Sequence, residues 1–128
     1  MSIKYKTVAR INPREPQLAP RIYASAVTQS QSNIKKISKA ISERTSLDHV
    51  DTQAVILATV DMIINELQEG RSVQLGDLGT FTISLSSEGA QSVDKFHAGM
   101  IKKAKIIYRP GLEIRNMLNN LQYEKKDD

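Results

Sequence analysis

The chain has 128 residues, 40% of them hydrophobic and 25% charged, with no cysteine and no tryptophan. That length predicts one domain with a modest core, and the missing cysteine excludes disulfides and thiolate metal ligands. A net charge of +4 with a pI near 9.4 admits a polyanionic partner without demanding one.

No apolar run approaches the ~18 residues of a membrane-spanning helix. The basic start MSIKYKTVARINPREP has no apolar stretch of the secretory type, so the expected location is the cytoplasm. Charge is unevenly spread. Residues 1–30 carry five Lys or Arg against one acid, 31–69 four against six, 70–100 two against three, and 101–128 seven against four. Basic ends thus flank an acidic middle, a pattern shared by nucleic-acid faces and by many solvated surfaces.

Residues 2–11 alternate, with Ile3, Tyr5, Ala9 and Ile11 on one side and Lys4, Lys6 and Arg10 on the other. Period two predicts a half-buried strand. Pro13, Pro16 and Pro20 then mark a loop, and RIYASAVT at 21–28 predicts a second strand beside the first. This extension, residues 1–30, is expected to be ordered and to pack on the body. From Ser32 the period becomes helical, with Ile34, Ile37 and Ile41 in one stripe and Lys35, Lys36 and Lys39 away from it. The first helix should end near Arg44.

Asp48 is the expected N-cap of the second helix, with Asp51 three residues on, both favourable at its positive end. That helix should run to Glu69 and stop at Gly70, the C′ position. Val50, Ala54, Leu57, Ile64 and Leu67 form its stripe, and Val55, Ile56, Val60, Met62 and Ile63 widen it nearly all the way round. So small a chain has too little protein to hide such a helix, which predicts a partner subunit.

Two short strands follow, Ser72–Leu75 and Thr80–Leu85, joined by Gly76-Asp77-Leu78-Gly79, whose glycines can take positive φ. The polar stretch 86–100 (SSEGAQSVDKFHAGM) has no core pattern and reads as an extended loop or arm. Residues 101–109 (IKKAKIIYR) alternate again, with Lys103, Lys105 and Arg109 on one face and Ala104, Ile106 and Tyr108 on the other. Pro110-Gly111 ends this strand, and Leu112, Leu118 and Leu121 predict a short closing helix. Residues 123–128 are expected to fray.

The ordered set of Glu69-Gly70, Val73-Gln74-Leu75, Gly79-Thr80-Phe81 and Arg109-Pro110-Gly111 resembles the HU/IHF family of bacterial histone-like DNA-binding proteins. The likeness spans about Asn33 to Leu121. The added strands ahead of it, with Ser86-Ser87-Glu88-Gly89, resemble the extended HU-like subfamily of Bacteroidetes. The resemblance implies an α+β, HU-like (IHF-like) fold. Its parts are two N-terminal helices, a three-stranded antiparallel sheet with a β-arm, and a short C-terminal helix. An HU-like domain over 31–122 would join its twin in an intertwined homodimer. It also implies a nucleoid protein whose partners are double-stranded DNA and its own twin, with no membrane and no small-molecule substrate.

HU itself belongs to the minor-groove proteins that wedge apolar residues between base steps. The family's arm is rich in Arg with an Asn-Pro tip. Here Ser84 to Met100 holds no Arg, no Pro and only Lys95 against Glu88 and Asp94. The residues the resemblance marks for DNA are Arg71, Lys95, Lys102, Lys103, Lys105, Arg109 and Arg115, with Lys35, Lys36 and Lys39 as contributors at most. For Lys102–Arg109 the plain alternative is a solvated strand face. Phe96 could stand in for the absent proline, though a lone arm aromatic more often packs back on the body.

His49 and His97 have no ligand partners at metal spacing, and Asp61 and Glu66 sit five apart on a helix, too far round for a catalytic dyad. No G-x-S-x-G, phosphate loop or dinucleotide fingerprint occurs. The sequence therefore predicts no catalytic residue, no metal and no cofactor. The competing function is a dimeric structural or protein-interaction module that keeps the fold with weak or lost DNA binding and recruits protein through its N-terminal strands.

Overall fold

A computed structural model describes residues 1–127. In chain order the elements are β1 (Ile3–Arg10), β2 (Arg21–Ala26), α1 (Ile34–Ser42), α2 (His49–Gln68), β3 (Val73–Gln74), β4 (Gly79–Ser87), β5 (Ile101–Pro110), α3 (Leu112–Asn119) and β6 (Tyr123–Lys125). The architecture is mixed α+β with two three-stranded sheets, ordered β2-β1-β6 and β3-β4-β5. Two compact units divide the chain: Ile34–Asn116, and Met1–Asn33 together with the segment from Met117 onward.

In the Ile34–Asn116 unit, α1 lies along α2. The two buried side chains there are small hydroxyl residues, Ser38 and Thr52. Each satisfies itself by donating to the preceding turn, Ser38 Oγ to the Ile34 carbonyl at 2.6 Å and Thr52 Oγ1 to the Asp48 carbonyl at 2.8 Å. Ile56 and Ile63 are half-buried on α2, whereas Val50, Val55, Leu57, Val60, Met62 and Ile64 remain exposed. Among the described residues no hydrophobic side chain is buried. The helix packing of a single chain leaves most of the apolar surface of α2 in solvent.

The caps are as the sequence predicts. Asp48 is the N-cap of α2, its carboxylate accepting from the Asp51 amide at 2.8 Å. At the other end Gly70, at φ 81°, donates to the Leu67 carbonyl, and Arg71 N–H reaches the Glu66 carbonyl. Those two bonds form a Schellman motif that turns the chain into β3.

Gly79 is held more tightly. Its φ of 126° and ψ of −161° lie in a region open essentially to glycine alone. A Cβ there would collide with the Arg109 carbonyl and sit 2.9 Å from the Gly111 amide nitrogen. Gly111 is confined in turn, since a Cβ on it would strike the Asp77 carbonyl. These contacts pin the Gly76–Leu78 turn to the end of β5, helped by Tyr108, whose hydroxyl donates to the Leu78 carbonyl at 2.6 Å. Gly79→Ala is therefore expected to destabilise by about 3 kcal/mol or more in urea unfolding. Gly76 sits at φ 48° in open space, so Gly76→Asn should cost under about 1 kcal/mol.

The second unit differs in one respect from the sequence reading. Tyr123–Lys125 does not fray: it forms β6, parallel to β1, with Ile3, Lys4 and Tyr5 opposite Tyr123, Glu124 and Lys125. The Ile3 amide donates to the Gln122 carbonyl at 2.7 Å and the Lys126 amide to the Tyr5 carbonyl at 2.8 Å. Lys4 Nζ meets Glu124 Oε2 at 2.8 Å, and Ser2 Oγ donates to the same oxygen at 3.0 Å. The pairing sets Ile3 against Tyr123 and the base Lys4 against the acid Glu124, and with the flanking backbone bonds that holds so short a strand. The N-terminal extension accordingly shares a sheet with the chain's end, and the expected 1–30, 31–122 and 123–128 division gives way to the two units above.

The Lys4 ammonium and Ser2 hydroxyl bonds hold the Glu124 carboxyl below its usual 4.5. A lowered folded-state value stabilises above the unfolded pKa, and the contribution disappears as pH falls through the folded value. Protection of the Ile3 amide relative to its intrinsic exchange rate should therefore be full at neutral pH and fall as pH drops through the lowered Glu124 value. Glu124→Gln should exchange faster at neutral pH and show no such step.

Candidate nucleic-acid interface

The register of the β3-β4-β5 sheet sorts its residues into two faces. Cross-strand partners share a face, and the pairs Thr80–Arg109, Thr82–Ile107, Ser84–Lys105 and Ser86–Lys103 lie on one side, with Gln74 beside Thr80. On the other side stand Val73, Phe81, Ile83 and Leu85 opposite Tyr108, Ile106 and Ala104. Phe81 and Tyr108 pack at a ring-centroid distance of 5.1 Å, tilted by 31°. One face is therefore aliphatic and aromatic. The other sets a row of hydroxyls along β4 against a row of cations along β5.

Lys103 and Lys105 stand about 6.7 Å apart along β5 by strand geometry, and Ile107, 36% exposed, interrupts the row before Arg109. Among the described residues no carboxylate pairs with Lys103, Lys105 or Arg109. Unpaired ammonium and guanidinium groups beside hydroxyl donors are the groups that hold phosphate oxygens. Arg109 also lines a cleft of about 470 Å³ with Arg115, Gln74, Thr80 and Asp77. This cleft brings together two cations that are separate in sequence.

The other expected residues fall elsewhere. Lys102 leaves the alternation. Ser86 pairs with Lys103 and the next residue, Ser87, with Ile101, so Lys102 is the extra residue of a β-bulge. Arg71 is engaged locally, its Nη1 3.4 Å from Glu66 Oε2. Lys95 lies in a 3₁₀ turn, Val93–Lys95, with its Nζ 3.3 Å from Gln91 Oε1.

The arm also differs from an extended ribbon. The β4-β5 ladder runs to Ser87 and Ile101, and the residues between turn back through two 3₁₀ turns. Glu88 N–H closes that loop on the Met100 carbonyl at 2.9 Å. The sequence reading missed the hydroxyls Thr80, Thr82, Ser84 and Ser86. Their signal was present as the polar half of T-F-T-I-S-L-S.

The sequence matches, over residues 1–125, the family described as an HU domain fused to wHTH, Ig, or Glycine-rich motif. The chain belongs to that HU-domain family. Among solved structures it is similar to a "putative bacterial DNA binding protein" from Bacteroides vulgatus ATCC 8482, with a TM-score of 0.65 at 12% identity. That likeness covers 98% of this chain and 49% of the other, so the chain spans about half of that structure's length. At such identity the fold is what the two share. No curated protein matches the chain. Among the described residues, no helix is long and apolar enough to cross a membrane.

Proposed function

We propose that this chain is a homodimeric, non-enzymatic HU-like protein that binds duplex DNA with little sequence preference and helps to organise the nucleoid. The observation that carries the reading is the sheet face on which Lys103, Lys105 and Arg109, unpaired among the described residues, stand beside Thr80, Ser84 and Ser86. Flexible cations and hydroxyls bind phosphates without reading bases. Membership of the HU-domain family and the DNA-binding description of the Bacteroides structure support it.

Dimerisation is supported by the exposed flank of α2 and the absence of any buried hydrophobic residue among those described. A second protomer is the simplest source of the missing core. The 3₁₀ loop between β4 and β5 carries Glu88 and Asp94 against Lys95, so the sheet face leads in the contact and the loop adds little. Titration of random-sequence and unrelated defined duplexes at several salt concentrations tests the reading. Equal affinities with a common linear salt dependence are expected, and no binding at low salt would refute it.

One observation favours recruitment of protein instead. Ile3, Tyr5, Ala24, Ala26 and Tyr123 line an apolar hollow of about 300 Å³ on the β2-β1-β6 sheet. Under that second reading the duplex titration would show no binding.

A further inference from the structure

The opposite face of the β2-β1-β6 sheet carries Lys4, Lys6 and Arg10 on β1, with Arg21 and Tyr23 on β2. Lys4 is neutralised by Glu124. Lys6, Arg10 and Arg21 are exposed, and among the described residues none of them has an ion-pair partner. Arg10 and Arg21 stand directly opposite each other in the last pair of the ladder. Like charges placed there destabilise the pairing, and among the described residues no carboxylate forms an ion pair with either arginine. The Arg10 guanidinium lies 5.8 Å from the centroid of the Tyr23 ring, which restrains its side chain while leaving donors free. Beside the pair opens a cavity of about 520 Å³, lined by Arg10, Arg21 and Tyr23, with Glu15 as the one acid among its lining residues.

We propose that this face is a second phosphate-binding surface for duplex DNA, separate from the cationic face of β5. The two guanidiniums would grip one phosphodiester in bidentate fashion. Lys6 sits four residues before Arg10 on the same strand, about 13 Å away by strand rise. No single phosphate spans that gap, but a backbone of regularly spaced phosphates does, which selects a polyanion over a free ion. The inference rests on the DNA-binding reading above, and it gives each of the two units its own contact, on the same duplex or on a second one.

The test uses the full chain and random-sequence duplex, comparing wild type, R10Q/R21Q, R10K/R21K and K103A/K105A. Each lost phosphate contact flattens the slope of log affinity against log salt by about 0.9, so R10Q/R21Q, which gives up the one phosphodiester held by the pair, should lose about 0.9 in slope per chain. R10K/R21K should keep the wild-type slope, and the effects of R10Q/R21Q and K103A/K105A should add when combined. Thermal melting of R10Q/R21Q should be unchanged or raised, because the Arg–Arg repulsion is gone.

Wild-type slope and affinity in R10Q/R21Q, with K103A/K105A weakened, would overturn this inference and leave the DNA reading standing. Failure of the wild type to bind duplex would overturn both. Inorganic phosphate or polyglutamate displacing duplex from K103A/K105A at equal charge concentration and ionic strength would also overturn it, assigning the face to a small anion or to an acidic protein.

Discussion

Leu57→Asp and Ile64→Asp should each unfold the protein at micromolar concentration, with loss of the helical circular dichroism signal and of any dimer in sedimentation. Within one chain these side chains are 47% and 48% exposed. If the protein worked as a monomer, substitutions at such positions would stay within about 0.5 kcal/mol. If a second α2 or its neighbours cover them, each Asp buries an unpaired charge, which costs about 3 kcal/mol or more per site, and the symmetry of a dimer doubles it. Ile56 and Ile63 would be poorer tests, because both are already half-buried in the single chain and a charge there damages either form. A folded monomeric Leu57→Asp variant, or a stable wild-type monomer in light scattering, would rule out the obligate dimer.

The second large effect belongs to the β5 face. Three cations per chain, Lys103, Lys105 and Arg109, become about six in a dimer, so this face should contribute about −5 at most to the salt slope. Affinity for random duplex should be micromolar or weaker at physiological salt. K103A/K105A removes about four of those six contacts, which predicts at least ~100-fold weaker binding at ~0.1 M salt and a slope flatter by about 3.6. The loss should be alike for all sequences. Deleting residues 88–94 should change affinity by less than about 1 kcal/mol, because the segment's two acids and absence of any cation make only a screened, partly repulsive contribution. With no proline wedge, bending should be slight. If the loop deletion abolished binding while K103A/K105A bound normally, the sheet-led contact would be wrong.

Most of the architecture is written in local signals. Asp48 and Gly70 bound α2 because a cap and a Schellman turn need only a few neighbouring residues, and the shift from period two to helical spacing after Ser32 marks α1. Gly79 was recognisable as a turn glycine. The reason only glycine fits, the Arg109 backbone and the neighbouring Gly111, lies some thirty residues downstream and leaves no mark nearby.

β6 was illegible for the same cause. Tyr-Glu-Lys carries almost no strand signal until Ile3 and Lys4 are known to lie beside it. The site was half legible. Alternation placed Lys103, Lys105 and Arg109 on one face, yet the bulge that removes Lys102 from the row depends on pairing with Ser86 and Ser87. So does the meeting of Arg10 with Arg21.

The parallel pairing of β1 with β6 has a mechanical consequence. Tension applied through the two ends pulls β1 by its start and β6 by its finish, so the strands are dragged past each other along their length. The bonds from Ile3 to Gln122 and from Lys126 to Tyr5 then bear load together instead of opening one after another like a zipper. The Ile34–Asn116 unit lies within the loop that this clasp closes, and it feels no pull until the clasp slips. The clasp is thus a shear-loaded fastener between tension on the strands β1 and β6 and the helices and sheet that carry the β5 cations.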